Sequence, residues 1–195
     1  MENYKEFKNE NEAQNWIDSF YDKNEFSKEE LDLIYSYGGG NYKLYNKFLR
    51  GQISIDKESK EELNDFTNKF SESKIEENII VYRYMKYINL KYLIKKSEAN
   101  AKIFNEKGFM STTIIPGNES LKKLIRDYEY NCLLRIKVPK GTIGIPIKYM
   151  NRYSLLKEYE VLLWPEIKLK IGIKHIKIQK TKPFFLRIIE CQIIN

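Results

Sequence analysis

The hydrophobic pattern of this chain changes period near residue 78, and that change limits the fold more than any single motif does. Before it, apolar residues recur at helical spacing. Ala13, Trp16, Ile17, Phe20 and Tyr21 fall at i, i+3, i+4, i+7 and i+8, one stripe of an amphipathic helix. Ser27 followed by Glu30 has capping-box spacing ahead of Leu31, Ile34 and Tyr35, and Gly38-Gly39-Gly40 ends that helix. Tyr42, Tyr45, Phe48 and Leu49 predict a third helix closed by Gly51, and Leu63, Phe66 and Phe70 a fourth. After residue 78 the period moves toward two. Strands are expected over residues 78–85, 109–115, 132–138, 159–164, 167–179 and 184–194, with a helix over 90–99. In the long strand the apolar phase passes from odd positions (Ile167, Leu169, Ile171, Ile173) to even ones (Ile176, Ile178), which predicts a bulge near Lys174. A helical lobe over about residues 1–75 and a β-rich body over about 76–195 make an α+β domain.

Charge divides at the same place. Residues 1–75 carry 11 basic and 16 acidic side chains, and residues 76–195 carry the remaining 23 and 11. The basic part suits an anionic partner such as a nucleotide, a nucleic acid or an acidic protein surface, although lysines on strands also serve simply as a solvated face. One histidine, His175, excludes mechanisms that need a His pair and reads as structural. Two cysteines, Cys132 and Cys191, are too few for a Cys-rich zinc site or a disulfide framework, and their apolar flanks mark them as core thiols. The polar, acidic start lacks the design of a secretory signal, and no apolar run approaches the roughly 20 residues of a membrane span.

Three features in the back half carry chemistry. Glu158 and Glu160, two apart before an apolar strand, would share a face of an extended backbone at roughly 6.5–7 Å along the chain. Such a pair can divide acid–base and charge-stabilising work, though taken alone it reads sooner as a solvated strand edge. Arg83, between Tyr82 and Tyr84 in a β-branched run, needs an anionic partner, either an internal carboxylate or a ligand phosphate. Ser111-Thr112-Thr113 follow Gly108-Phe109-Met110 and, taken alone, are strand hydroxyls facing water.

Their order is more specific than any one of them. A helix Tyr42-Lys43-Leu44-Tyr45-Asn46-Lys47-Phe48-Leu49-Arg50-Gly51, a strand Arg, Gly-Phe-Met-Ser-Thr-Thr and Glu-x-Glu-Val-Leu-Leu together resemble the Arg-Ser-Glu class of bacterial mono-ADP-ribosyltransferase toxins. The resemblance is to the catalytic chains of clostridial actin-modifying binary toxins and the vegetative insecticidal proteins, then to the Rho-modifying clostridial exoenzymes. It implies one catalytic domain over residues 1–195, with the helical lobe packed on a core of two sheets. It implies NAD+ as co-substrate, no metal, and transfer of ADP-ribose to a protein arginine, with actin the leading target. Glu160 is then the catalytic carboxylate and Glu158 the group that orients the acceptor, a Glu in that place going with arginine acceptors. Arg83, Asn46 and Arg50 contact NAD+, Tyr42 lines the cleft, Ser111 supports Glu160, and Thr113 keeps the hydroxyl of the motif's final Ser.

Two departures accompany the match. Tyr130 stands where the family often has a second phosphate-binding Arg, with Arg126 as a substitute. Leu155 stands where an aromatic residue usually precedes the Glu pair, with Tyr153 nearby, so the substrate-recognition loop points to a target of its own. The resemblance further implies a monomer that acts without a membrane, either secreted or carried into host-cell cytosol by a separate delivery component, with a cytoplasmic protein as the alternative. The rival within chemistry is an NAD+ glycohydrolase; the remote rival is a basic nucleic-acid-binding module.

Overall fold

The computed structural model describes residues 2–96, 103–117, 122, 127, 129–147, 159–181 and 184–194. Local caps set the helical lobe. Helix α1 (Glu10–Asn24) starts at Asn9, whose side chain accepts from the Glu12 N–H, and α2 (Lys28–Ser36) starts in the expected capping box. There the Ser27 N–H donates to Glu30 at 2.8 Å while the Glu30 N–H donates to Ser27 Oγ at 3.3 Å. One wide turn, Tyr37–Asn41, follows α2, and Gly40 at φ +142° breaks the helical path in a conformation side chains rarely adopt. The chain then enters α3 (Tyr42–Leu49), and α4 (Lys57–Lys69) begins on an Asp56 cap. Helix α5 (Tyr87–Lys96) lies after the first strand, starting earlier than expected.

Eight strands follow: β1 (Ile79–Met85), β2 (Ile103–Glu106), β3 (Met110–Thr113), β4 (Cys132–Val138), β5 (Gly144–Pro146), β6 (Glu160–Leu163), β7 (Ile167–Thr181) and β8 (Phe184–Ile194). They pair in the order β2-β7-β8-β4-β1-β3-β6-β5, with β4–β8 parallel and the other pairs antiparallel. The expected two sheets are joined, because β1 meets β3 at Tyr82↔Thr113, the single register between a five-stranded and a three-stranded part. Strands β2 and β5 were not expected from the sequence. The expected bulge is present in β7, where the register on β8 shifts between Gly172 and Ile176. The intervening residues Ile173, Lys174 and His175 absorb the change from odd to even apolar positions, so Leu169, Ile171 and Ile176 all oppose β8 residues in sequence.

The N-terminal segment occupies the β1 edge that β3 leaves open. Lys5 forms a parallel bridge with Ile79, donating its N–H to Asn78 O and accepting from the Ile80 N–H at 2.9 Å each. Glu6 then accepts from the Tyr82 hydroxyl and from the Arg135 fork at 2.7 and 3.1 Å, while Arg135 also donates to Glu190 at 2.9 Å. Two cores lie on opposite faces of β6. Val161 and Leu163 join Ala13, Ile17, Val81 and Leu134, whereas Leu162 joins the aromatic cluster of Tyr37, Phe66, Phe70, Phe109 and Trp164. Tyr37 stacks on Phe66 at 4.9 Å and Phe66 on Trp164 at 5.6 Å, contacts of about 0.5–1.5 kcal/mol each beyond the buried area, and these fasten the helices to the sheet. Cys132 and Cys191 are buried and unbridged, as expected, and burial pushes both thiols up to about 12.

Candidate active site

The site forms where the two parts of the sheet separate. Continued past Tyr82↔Thr113, an antiparallel ladder would set Tyr84 opposite Ser111. Instead the Arg83 guanidinium reaches across and donates to the Ser111 carbonyl at 3.0 Å. Burial holds that guanidinium below the usual arginine range; Glu106 opposes the shift and Arg50 adds to it, which brings all three charges into one place. Tyr130 acts on Arg83 as well, so a half-buried phenol stands beside this arginine.

Strand β3 gives its hydroxyls different tasks. Thr112 is buried and donates to Val161 O at 2.6 Å, and buried Thr113 bonds both the N–H and the carbonyl of Ile115 at 3.2 Å. Ser111 is exposed, at the mouth of the opening. Glu160 begins β6 directly opposite Thr113, is 9% exposed, and has its carbonyl fixed by the Ile147 N–H at 2.9 Å. Alternation along β6 sets Glu160 on the face of Leu162, toward the aromatic cluster. Tyr37 reports the same placement. Burial raises its phenol well above the usual range, the Asn46 amide donating at 3.3 Å lowers it, Glu160 raises it further, and Arg83 and Arg50 oppose that. One hydroxyl is therefore in electrostatic reach of Glu160, Arg83 and Arg50.

Helix α3 supplies the opposite wall. Arg50, at its C-terminal end, donates from Nε to Glu106 at 2.9 Å, and the Gly108 N–H donates to the same carboxylate oxygen at 3.0 Å. Asn46 and Arg50, expected on one helical ridge, both close on Gly108: a Cβ there would lie 2.4 Å from Asn46 Oδ1 and 3.1 Å from the Arg50 guanidinium. Asn46 Oδ1 is buried against Gly108 with no hydrogen-bond donor beside it. Tyr42 is 39% exposed at the start of α3, with its ring 6.5 Å from that of Tyr37.

The structure thus brings together Arg83, Ser111, Thr113, Glu160, Asn46 and Arg50. Glu158, Tyr153, Leu155 and Arg126 lie outside the described residues. The geometry assumed for the Glu pair is corrected at its centre, because Tyr159 is not extended: its φ is +46°, in the left-handed region. Two contacts hold it there, Tyr159 Oη donating to Glu10 at 3.0 Å and Tyr159 O accepting from the Ile114 N–H at 3.1 Å. A non-glycine residue in that region costs backbone strain, which the surrounding contacts must hold. Glu106 and Tyr37 were not anticipated as site residues. Glu106 lies on the unexpected strand β2, and Tyr37 reads in sequence as one more aromatic at a helix end.

The residues 2–188 match the family profile described as ADP-ribosyltransferase exoenzyme. The chain belongs to the ADP-ribosyltransferase exoenzyme family. Solved structures give the same fold. BECa, the ADP-ribosylating toxin of a binary enterotoxin of C. perfringens solved with NADH, is 24% identical with a TM-score of 0.77, covering 98% of this chain and 50% of its own. C3stau2 from S. aureus, solved with NAD, is 19% identical with a TM-score of 0.76, covering 98% of this chain and 99% of its own. The enzymatic component of the C2 toxin from Clostridium botulinum is 19% identical with a TM-score of 0.68, covering 92% of this chain and 47% of its own. The chain therefore spans about half of BECa and of the C2-toxin component and nearly all of C3stau2. No curated protein sequence matches it. Among the described residues there is no helix long and apolar enough to cross a membrane, and no cluster of side chains suited to a metal.

Proposed function

We propose that this chain is an NAD+-dependent mono-ADP-ribosyltransferase that modifies an arginine of a target protein, with actin the leading target, and that residues 1–195 act as one catalytic domain. The observation that carries the reading is the convergence of Arg83, Ser111 and Glu160 at the sheet junction, facing Asn46 and Arg50 on α3. These residues fit a dinucleotide. Two guanidiniums offer planar forks to a pyrophosphate, Asn46 Oδ1 is a buried acceptor lacking a donor, and bare Gly108 lets α3 close on the strand side.

NAD+ supplies a sugar whose bond to nicotinamide breaks with positive charge developing on the ribose. Glu160 presents a carboxylate to that charge from a backbone fixed on both sides, which makes its field preorganised. Arg83 holds phosphate with a planar fork, and Ser111 offers its exposed hydroxyl beside it. Glu158 orients the acceptor guanidinium and takes its proton, because a fully protonated guanidinium is a poor nucleophile. Leu155 and Tyr153, in place of the family's usual aromatic, shape recognition of the protein target. A separate component delivers the chain into the host cell.

The test is incubation of wild type and Glu158→Gln with labelled NAD+ and a eukaryotic lysate, following free nicotinamide and protein-bound label together. Label on a band of actin's size, lost in the variant while nicotinamide release persists, is the expected result. Nicotinamide release with no labelled protein would replace the transferase reading with the glycohydrolase.

A further inference from the structure

Glu106 has no part in the chemistry proposed above, yet it is only 7% exposed. A carboxylate is costly to bury without partners, so its donors indicate its task. Both act on one oxygen: Arg50 Nε at 2.9 Å and the Gly108 N–H at 3.0 Å. They come from different parts of the molecule. Arg50 closes α3 in the helical lobe, 56 positions from Glu106 in sequence, whereas Gly108 leads into β3 and Ser111. Gly108 is also the point at which Asn46 and Arg50 meet the strand side. A carboxylate repels phosphate, so a buried one in this position needs a compensating role. Binding Arg50 through Nε supplies it, since the Nη donors of the fork remain turned to other use.

We propose that Glu106 is a positioning residue for NAD+ binding: through one oxygen it fixes the Arg50 guanidinium against the backbone leading to Ser111, so that α3 and β3 present a single preformed phosphate-binding face. This rests on the reading of the site as an NAD+ site. Glu106 acts through Arg50, so its loss appears in KM for NAD+ rather than in kcat.

The experiment measures nicotinamide release against NAD+ concentration for wild type, Glu106→Ala, Glu106→Gln, Arg50→Ala and the double variant Glu106→Ala/Arg50→Ala, with thermal unfolding alongside. Glu106→Ala should raise KM by about 10-fold with kcat little changed, an effect within the range of coupling between contacting residues. Glu106→Gln, whose carbonyl still accepts from both donors, should raise it less. The double variant should be no worse than Arg50→Ala alone. Additive losses in the double variant, or a fall in kcat at unchanged KM, would overturn the proposal. Should Glu106→Ala fail to fold, Glu106→Gln paired with Arg50→Ala makes the same comparison. Wild type that releases no nicotinamide would refute the NAD+ reading itself, an outcome distinct from either pattern.

Discussion

Gly108→Ala tests whether the helical lobe and the strand side of the site are in as close contact as the geometry requires. Gly108 does not occupy the left-handed region, so alanine meets no backbone obstacle there. The obstacle is steric. The added methyl would sit 2.4 Å from Asn46 Oδ1, about 1 Å inside ordinary contact, and 3.1 Å from the Arg50 Cζ and Nη2 atoms. Overpacking of this kind costs about 1–3 kcal/mol, which for a chain of 195 residues corresponds to a melting point lower by roughly 2–12 °C. Alternatively Asn46 and Arg50 swing aside, which spares the fold and removes them from the site. A displacement near 1 Å in groups that position a substrate costs on the order of 100-fold, so KM for NAD+ should rise by between about 10- and 100-fold. Steady-state nicotinamide release and differential scanning calorimetry measure the two costs on the same preparation. Gly39→Ala is the control, since nothing lies within 4 Å of its added methyl, and it should stay within about 0.5 kcal/mol of wild type. Gly108→Ala with wild-type melting point and KM would refute the close approach of α3 to β3.

Glu160→Gln should lower nicotinamide release by about 10²- to 10³-fold while leaving the melting point close to wild type. Arg83→Lys should raise KM for NAD+ by about 10-fold or more, because a point charge does not replace the fork, with retained KM refuting the phosphate assignment. Tyr159→Phe removes a hydrogen bond to a carboxylate, so urea denaturation should show a loss of about 1.5–3 kcal/mol, with no change if the Glu10 contact is idle. Tyr84, Tyr159, Cys132 and Cys191 all have folded pKa values raised to about 12, chiefly by burial. Their contribution to stability is intact below the unfolded values and declines as pH rises through roughly 9 to 12, the unfolded chain releasing its protons first. Denaturant midpoints at pH 8 and pH 10.5 check that sign, and the native thiols should resist alkylation at pH 8.

Features encoded within a few residues of chain were readable before folding was considered. The capping box at Ser27 and Glu30 depends on a three-residue spacing, and both of its hydrogen bonds form. The phase slip in β7 was legible because side chains alternate, and the structure absorbs it at residues 173–175. Arg83, Ser111 and Glu160 were legible as candidates because their motifs keep order along the chain, and the structure brings them together. The remaining features arise from long-range packing. Strands β2 and β5, of four and three residues, carry too short a pattern to read and exist because β7 and β6 offer them edges. Glu106 reaches the candidate site through Arg50, 56 positions away, and Tyr159 holds its left-handed backbone with the help of Glu10, 149 positions away. Local spacing cannot contain such pairs. They depend on which strand edges stay open and which faces meet after the sheet and helices have packed.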